Sequence, residues 1–110
     1  MALRQALAGM VCVVIVTGCD QVDVHDHPQM KTGEQFYNHH CASCHQHSGD
    51  GAFLSGVPAV KYTSMKIREI VEHIRGHGRA ADTRMPRFSD MSVYEAERIA
   101  VYIRNELRAR

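Results

Sequence analysis

The stretch Cys41-Ala42-Ser43-Cys44-His45 constrains this chain most, because it places two thiols close together and an imidazole directly after the second. Such a pair can form a disulfide, bind a metal, or become covalently attached to another group. The chain has 110 residues and no tryptophan. A domain this small often depends on a crosslink, a metal or a cofactor in addition to its apolar core. We therefore expect a non-protein group inside the fold.

Two alternatives lack the residues that they need. A structural zinc site requires further ligands at suitable spacing, but no cysteine follows Cys44. A thioredoxin-like redox pair requires alternating strands and helices, whereas the downstream sequence has helical periodicity. The pattern C-x-x-C-H is typical of c-type haem attachment. We therefore predict one haem c per chain, attached covalently through Cys41 and Cys44, with His45 as an axial iron ligand.

The first eighteen residues have the features of an export signal. Arg4 precedes an apolar segment of ten residues, 7–16, which is too short to cross a bilayer. The stretch Val16-Thr17-Gly18-Cys19 resembles the lipobox of bacterial lipoproteins, which implies removal of residues 1–18 and lipidation of Cys19. Asp20 resembles the signal that retains such proteins in the inner membrane of Gram-negative bacteria. We therefore expect a lipid-anchored protein on the periplasmic face of that membrane.

Residues 19–31 are predicted to be the lipidated cysteine and a flexible linker, because they are polar and lack helical periodicity. His25, Asp26 and His27 could bind copper or zinc weakly. No third strong ligand lies at suitable spacing, so we interpret them as part of a hydrated linker. The folded domain is then predicted to span residues 32–110.

The second axial ligand is predicted from local context. Met85 directly precedes a proline and should be extended, with its thioether held off the backbone. Met91 directly precedes a capping box predicted from Ser92 and Glu95, so we expect it to pack as a hydrophobic staple. Met85 is therefore our candidate for the sixth iron ligand. His77, which lies between two glycines, is the reserve.

Apolar spacing predicts two amphipathic helices. The first helix stops at Gly76 and carries Ile67, Ile70, Val71 and Ile74 on its apolar stripe. The second begins after Ser92, and its stripe contains Val93, Ala96, Ile99, Ala100, Ile103 and Leu107. Its solvated face is expected to contain Glu95, Glu97, Arg98, Arg104, Glu106 and Arg108. No strand pattern competes, so we predict an all-α fold of three or four short helices, with a helix near 32–41 crossing the last, near 92–108, at Gly33.

Residues 32–108 resemble the class I c-type cytochromes. Gly33 and Tyr37 match the glycine and the aromatic residue of that family's first helix, although phenylalanine is common where Tyr37 stands. A glycine-rich loop containing Gly51 follows, and then Pro58. The resemblance implies that the carbonyl of Pro58 accepts the Nδ1 proton of His45 and fixes the orientation of that ring. It also implies the cytochrome c-like fold, in which short helices surround one covalently bound haem.

With both axial positions filled, the iron has no open site for a substrate, so we expect one-electron transfer rather than enzymatic catalysis. The expected partner is a membrane-bound redox complex or a small periplasmic redox protein. The formal net charge is +1, and no basic run could follow a phosphate backbone, which argues against nucleic acid. The alternative is a haem enzyme or gas-binding module with an open or labile sixth position. His77, Arg79 and Arg84 are its candidate distal groups.

Overall fold

The computed structural model describes residues 27–77 and 84–110, and this part of the chain is mainly helical. Its α-helices are α1 (Gly33–His40), α2 (Ala42–His45), α3 (Ile67–Ile74) and α4 (Val93–Val101). A π-helical turn, Tyr102–Glu106, and a 3-10 turn, Leu107–Ala109, extend α4, and another 3-10 turn spans Phe53–Ser55. In the described ranges the β-structure is one isolated bridge between Ala52 and Val57. The predicted all-α class is confirmed.

The predicted signal peptide and Cys19 lie outside the described residues. Of the predicted linker, residues 27–31 lie against the domain, where Met30 is partly buried at the core. The predicted domain boundary at residue 32 stays a prediction, because the residues before 27 lie outside the described part of the chain. Within 27–77 and 84–110, no helix has the length and apolar content needed to cross a membrane.

Helices α1 and α4 cross at Gly33, as the sequence predicts. A Cβ atom at Gly33 would overlap the carbonyl oxygen of Arg98 and would lie 2.8 Å from the Cβ of Tyr102. The absence of a side chain therefore allows the two backbones to approach each other. At the start of α1, Thr32 and Gln35 form a reciprocal capping box that stabilises the first turn.

The core lies between α1, α3 and α4, and it departs from the predicted stripes at two helix starts. Ile67, in the first turn of α3, is 38% exposed, and Val93, in the first turn of α4, is 47% exposed. Glu95 was expected on the solvated face but is only 6% exposed. This prediction was wrong because the first turn of α4 lies beside His27 and turns Glu95 inward. The fully buried large side chains are Tyr37, Tyr102, Phe36, Met91, Ile99 and Leu107.

The segment 84–92 leads into α4 and contacts the C-terminal ends of α1 and α3. The backbone N–H of Phe88 donates to the carbonyl of Ile74 at 3.0 Å, and the Phe88 ring centroid lies 5.5 Å from that of His40. Arg75 Nε donates to the carbonyl of Met91 at 3.0 Å. Buried Met91 thus packs before α4, as expected. Met85 lies on a segment fixed to two helices.

The capping box predicted at the start of α4 is half formed. Ser92 Oγ accepts a hydrogen bond from the backbone N–H of Glu95 at 3.1 Å. The carboxylate of Glu95 does not complete the box, because it lies beside His27 instead, 3.8 Å from that ring's Nδ1. A tertiary contact has therefore replaced the local one.

Candidate haem-binding site

The C-x-x-C-H sequence forms the short helix α2 directly after α1. Cys41 ends α1 by donating its N–H to the carbonyl of Tyr37 at 2.8 Å, and its own carbonyl accepts from the N–H of His45 at 2.9 Å. Both thiols and the imidazole therefore lie on one helical turn. Cys41 and His45 are buried, whereas Cys44 is exposed, and no disulfide joins the two cysteines. Burial raises the pKa of Cys41 to about 12, and the neighbouring Cys44 adds to this shift.

The main chain of the following loop orients His45. Its Nδ1 lies 3.0 Å from the carbonyl oxygen of Pro58. Because a carbonyl oxygen only accepts, a hydrogen bond here requires the ring proton on Nδ1 and leaves Nε2 as an electron-pair donor. A metal-binding histidine commonly has this arrangement. The structure thus brings together His45 and Pro58, two of the predicted site residues.

A tight loop returns Pro58 to His45. The backbone N–H of Gly51 donates to the carbonyl of His45 at 2.9 Å, and the bridge between Ala52 and Val57 closes the turn beyond it. Gly51 has a positive φ of 69°. A Cβ atom there would lie 2.6 Å from the carbonyl oxygens of Pro58 and Val57. The absence of a side chain at Gly51 therefore makes room for the Pro58 carbonyl. The position of Gly51 in the sequence does not predict this role.

Tyr37 holds the beginning of the same loop. Its side chain is fully buried, and its phenol donates to the carbonyl of Gln46 at 2.7 Å. Gln46 follows His45 with a positive φ of 67°, which is uncommon for a residue other than glycine. The hydrogen bond from Tyr37 therefore stabilises an unusual backbone turn directly after the predicted iron ligand. A phenylalanine at this position could not make it.

Met85 lies on the fixed segment 84–92 and is partly buried against the hydrophobic core. His77, the reserve ligand, is exposed just beyond α3, and its backbone N–H donates to the carbonyl of Glu72 at 2.8 Å. Arg84 is exposed, and Arg79 lies outside the described residues. Of the two candidates for the sixth ligand, Met85 is thus the more buried.

The residues present fit a haem. Two thiols on one turn and a histidine with Nε2 as donor are the groups by which a protein holds a covalently attached haem. Large apolar side chains are also exposed on and after the loop that carries Pro58: Phe53 is 93% exposed, Leu54 99% and Tyr62 68%. A domain this small rarely exposes several such side chains in one stretch without an apolar partner.

The helical fold, the C-x-x-C-H turn of Cys41 to His45 (the attachment turn) and the oriented histidine are together those of a class I c-type cytochrome. The family model described as cytochrome c oxidase, cbb3-type, subunit III matches residues 28–103, and the chain belongs to this family. The matched range extends from the segment before α1 into the turn after α4, so it contains the whole predicted site. No curated protein matches the chain. The predicted class of haem protein is therefore confirmed.

Proposed function

We propose that this protein is a membrane-anchored periplasmic monohaem cytochrome c that transfers one electron at a time, with iron ligated by His45 and Met85. The observation that carries the proposal is the attachment turn, in which His45 is oriented by the carbonyl of Pro58 at 3.0 Å. Family membership supports a haem cytochrome in electron transfer.

Each residue of the site has a separate task in this proposal. Bound haem c supplies one-electron chemistry at its iron. Cys41 and Cys44 hold the group covalently to α2. The hydrogen bond from His45 to Pro58 keeps Nε2 available and strengthens the imidazole as a ligand. The thioether of Met85 is a soft ligand, and it favours the reduced state and raises the reduction potential.

The proposed partner is a membrane-bound redox complex or a small periplasmic redox protein. Its basis is the family description, which names a subunit of a cytochrome c oxidase, together with the predicted lipidation of Cys19. Residues 27–31 lie against the domain, so only the predicted linker residues before 27 could extend, and they would reach at most about 25 Å. The domain would therefore work close to the membrane. Co-purification from solubilised membranes distinguishes a fixed subunit from a carrier that dissociates.

Replacement of Met85 by alanine tests the proposed iron ligation. Without the thioether, the oxidised protein should lose its weak sulfur-to-iron charge-transfer band, and the ferrous protein should gain carbon monoxide binding. Both are measured by absorption spectroscopy on protein that keeps its covalent haem. Met65→Ala is the matched control, since Met65 is also partly buried against the core, and it should retain the band.

Two results would contradict the assignment. A charge-transfer band that persists in Met85→Ala would exclude Met85 as the ligand. Ready binding of carbon monoxide to the untreated ferrous protein would favour the alternative, a haem enzyme or gas-binding module with an open or labile sixth position.

A further inference from the structure

Three histidines that do not belong to the haem site meet at the end of α1. His27 comes from the segment before the helix, and His39 and His40 form its last two residues. One side-chain nitrogen of each lies within 4.8 Å of those of the other two. Their ring centroids are 4.5 Å apart for His27 and His39, 4.9 Å for His27 and His40, and 4.7 Å for His39 and His40. The segment before α1 therefore folds back along the helix.

A buried carboxylate lies behind this histidine cluster. Glu95 Oε1 is 3.8 Å from His27 Nδ1, which is beyond hydrogen-bond distance. Glu95 Oε2 and His27 Nδ1 are both buried without a hydrogen-bond partner. Buried polar atoms without partners are costly, and in a native structure they need an explanation. A cation held by the three imidazoles would give one, because it would draw His27 into contact with the carboxylate.

We propose that His27, His39 and His40 bind one divalent transition-metal ion, with Glu95 as a positioning residue whose carboxylate accepts a hydrogen bond from the Nδ1–H of His27. Zn²⁺ is a suitable probe of this site. Imidazole nitrogens suit zinc and copper, and three protein ligands with an open fourth position form a common zinc geometry.

The distances agree with such a site. Zinc bonds nitrogen at about 2.0–2.1 Å, so ligand nitrogens in a tetrahedral site lie roughly 3.4 Å apart. In the structure these nitrogens lie within 4.8 Å of one another, so metal binding would draw them closer by up to about 1.4 Å. A carboxylate behind a metal-binding histidine is also a common arrangement, because it fixes the ring and strengthens its donor nitrogen. In addition, the partial negative charge at the C-terminal end of a helix favours a cation.

The metal would join the segment before α1 to the end of that helix. Because His40 directly precedes Cys41, the ion would also lie next to the haem attachment turn in the sequence. The site does not require the proposed electron-transfer function. It depends only on side chains of α1, α4 and the preceding segment.

Calorimetric titration of the haem-loaded full-length protein with Zn²⁺ tests the site. We expect one ion per chain, and we expect His27→Ala, His39→Ala and Glu95→Gln each to weaken binding by at least about tenfold. Zinc-edge X-ray absorption should show imidazole nitrogens at about 2.0 Å, and this signal should be lost in His39→Ala. His47→Ala is the control and should bind zinc as the native chain does, because His47 is exposed and bonded to Asn38 instead.

His39 is exposed, so its alanine variant should fold and carry haem even where replacement of His27 or Glu95 disturbs packing. The absorption spectrum of the haem reports folding in every variant. No zinc binding by the native protein, or equal binding by the native protein and His39→Ala, would overturn the proposal. A loss in His47→Ala as large as that in His39→Ala would also overturn it, because it would indicate nonspecific surface binding.

Discussion

The hydroxyl of Tyr37 supports the haem site although Tyr37 is not itself a predicted iron ligand. Its phenol holds the carbonyl of Gln46, directly after His45, in a turn with positive φ. The ring of Tyr37 packs against Tyr102, with the two ring centroids 5.3 Å apart. The acceptor for the hydroxyl could not be predicted, because it depends on how the chain leaves α2.

Tyr37→Phe should lower the free energy of unfolding by about 1 kcal/mol near neutral pH, the usual contribution of one hydrogen bond. Burial raises the pKa of Tyr37 above its ordinary value of 10.0. The folded state thus keeps a proton that the unfolded state loses, so stability is full below about pH 10 and falls as the pH rises further. Tyr37→Phe should therefore lose less stability than the native protein as the pH rises above about 10. Denaturant unfolding followed by circular dichroism from neutral to alkaline pH measures both effects, and an alkaline loss of the same size in both proteins would contradict the prediction.

Among individual residues, Cys41, Cys44 and His45 could be selected from the sequence because their spacing is typical of haem attachment. The histidine cluster could not. His27 lies well before α1 in the sequence, with no third ligand near it, so sequence alone predicts it to be part of the linker. Glu95 was misplaced for a related reason. The carboxylate of Glu95 lies beside His27 and does not complete the capping box with Ser92.

At the scale of elements, the loop between α2 and α3 works as a support for His45. Two of its three glycines, Gly51 and Gly56, have nearly the same backbone conformation, with φ of 69° and 72°. Their surroundings differ. A Cβ at Gly51 would press on the carbonyls of Pro58 and Val57, whereas a Cβ at Gly56 has nothing within 4 Å. Alanine at either position would strain the backbone, but only alanine at Gly51 would also displace the Pro58 carbonyl.

Gly51→Ala should destabilise the protein by about 1–3 kcal/mol more than Gly56→Ala, because overpacking adds to the strain that both share. It should also raise the reduction potential of the haem protein, because a displaced Pro58 carbonyl weakens the hydrogen bond that strengthens His45 as a ligand. Denaturant unfolding and redox titration measure the two quantities. Equal potentials in the two variants would show that the carbonyl does not tune the iron.

Helix positions were predictable from periodicity where the helix packs along its whole length. Ile70, Val71 and Ile74 are buried on α3, and Ile99, Ala100 and Ile103 are buried along and just after α4. The pattern failed in first turns, at Ile67 and Val93, because the start of a helix can project beyond the elements that cover its middle. The loop around Gly51 was located by its glycines, but its shape is set by contacts with residues on both sides.

At the scale of the whole molecule, the predicted lipid anchor decides where the domain works. Cys19→Ser should abolish acylation and processing at that position. The native protein should partition with inner membranes and resist extraction by high salt, since two acyl chains bind a membrane stably. Membrane fractionation and mass spectrometry of the N-terminus check this. Recovery of the native haem protein in the soluble periplasmic fraction would contradict the anchor and leave the haem assignment unaffected.

The crossing of α1 and α4 joins the two ends of the domain and so sets the order in which the protein can fold. Glu34 and Arg110 form an ion pair at 2.9 Å although they are 76 residues apart in the sequence. Until the last helix has been synthesised, α1 has no surface against which to bury Phe36 and Tyr37. Contacts this distant in sequence form late. Helix α1 therefore lacks its packing partner until α4 has been synthesised, which suits a polypeptide predicted to cross a membrane before it folds.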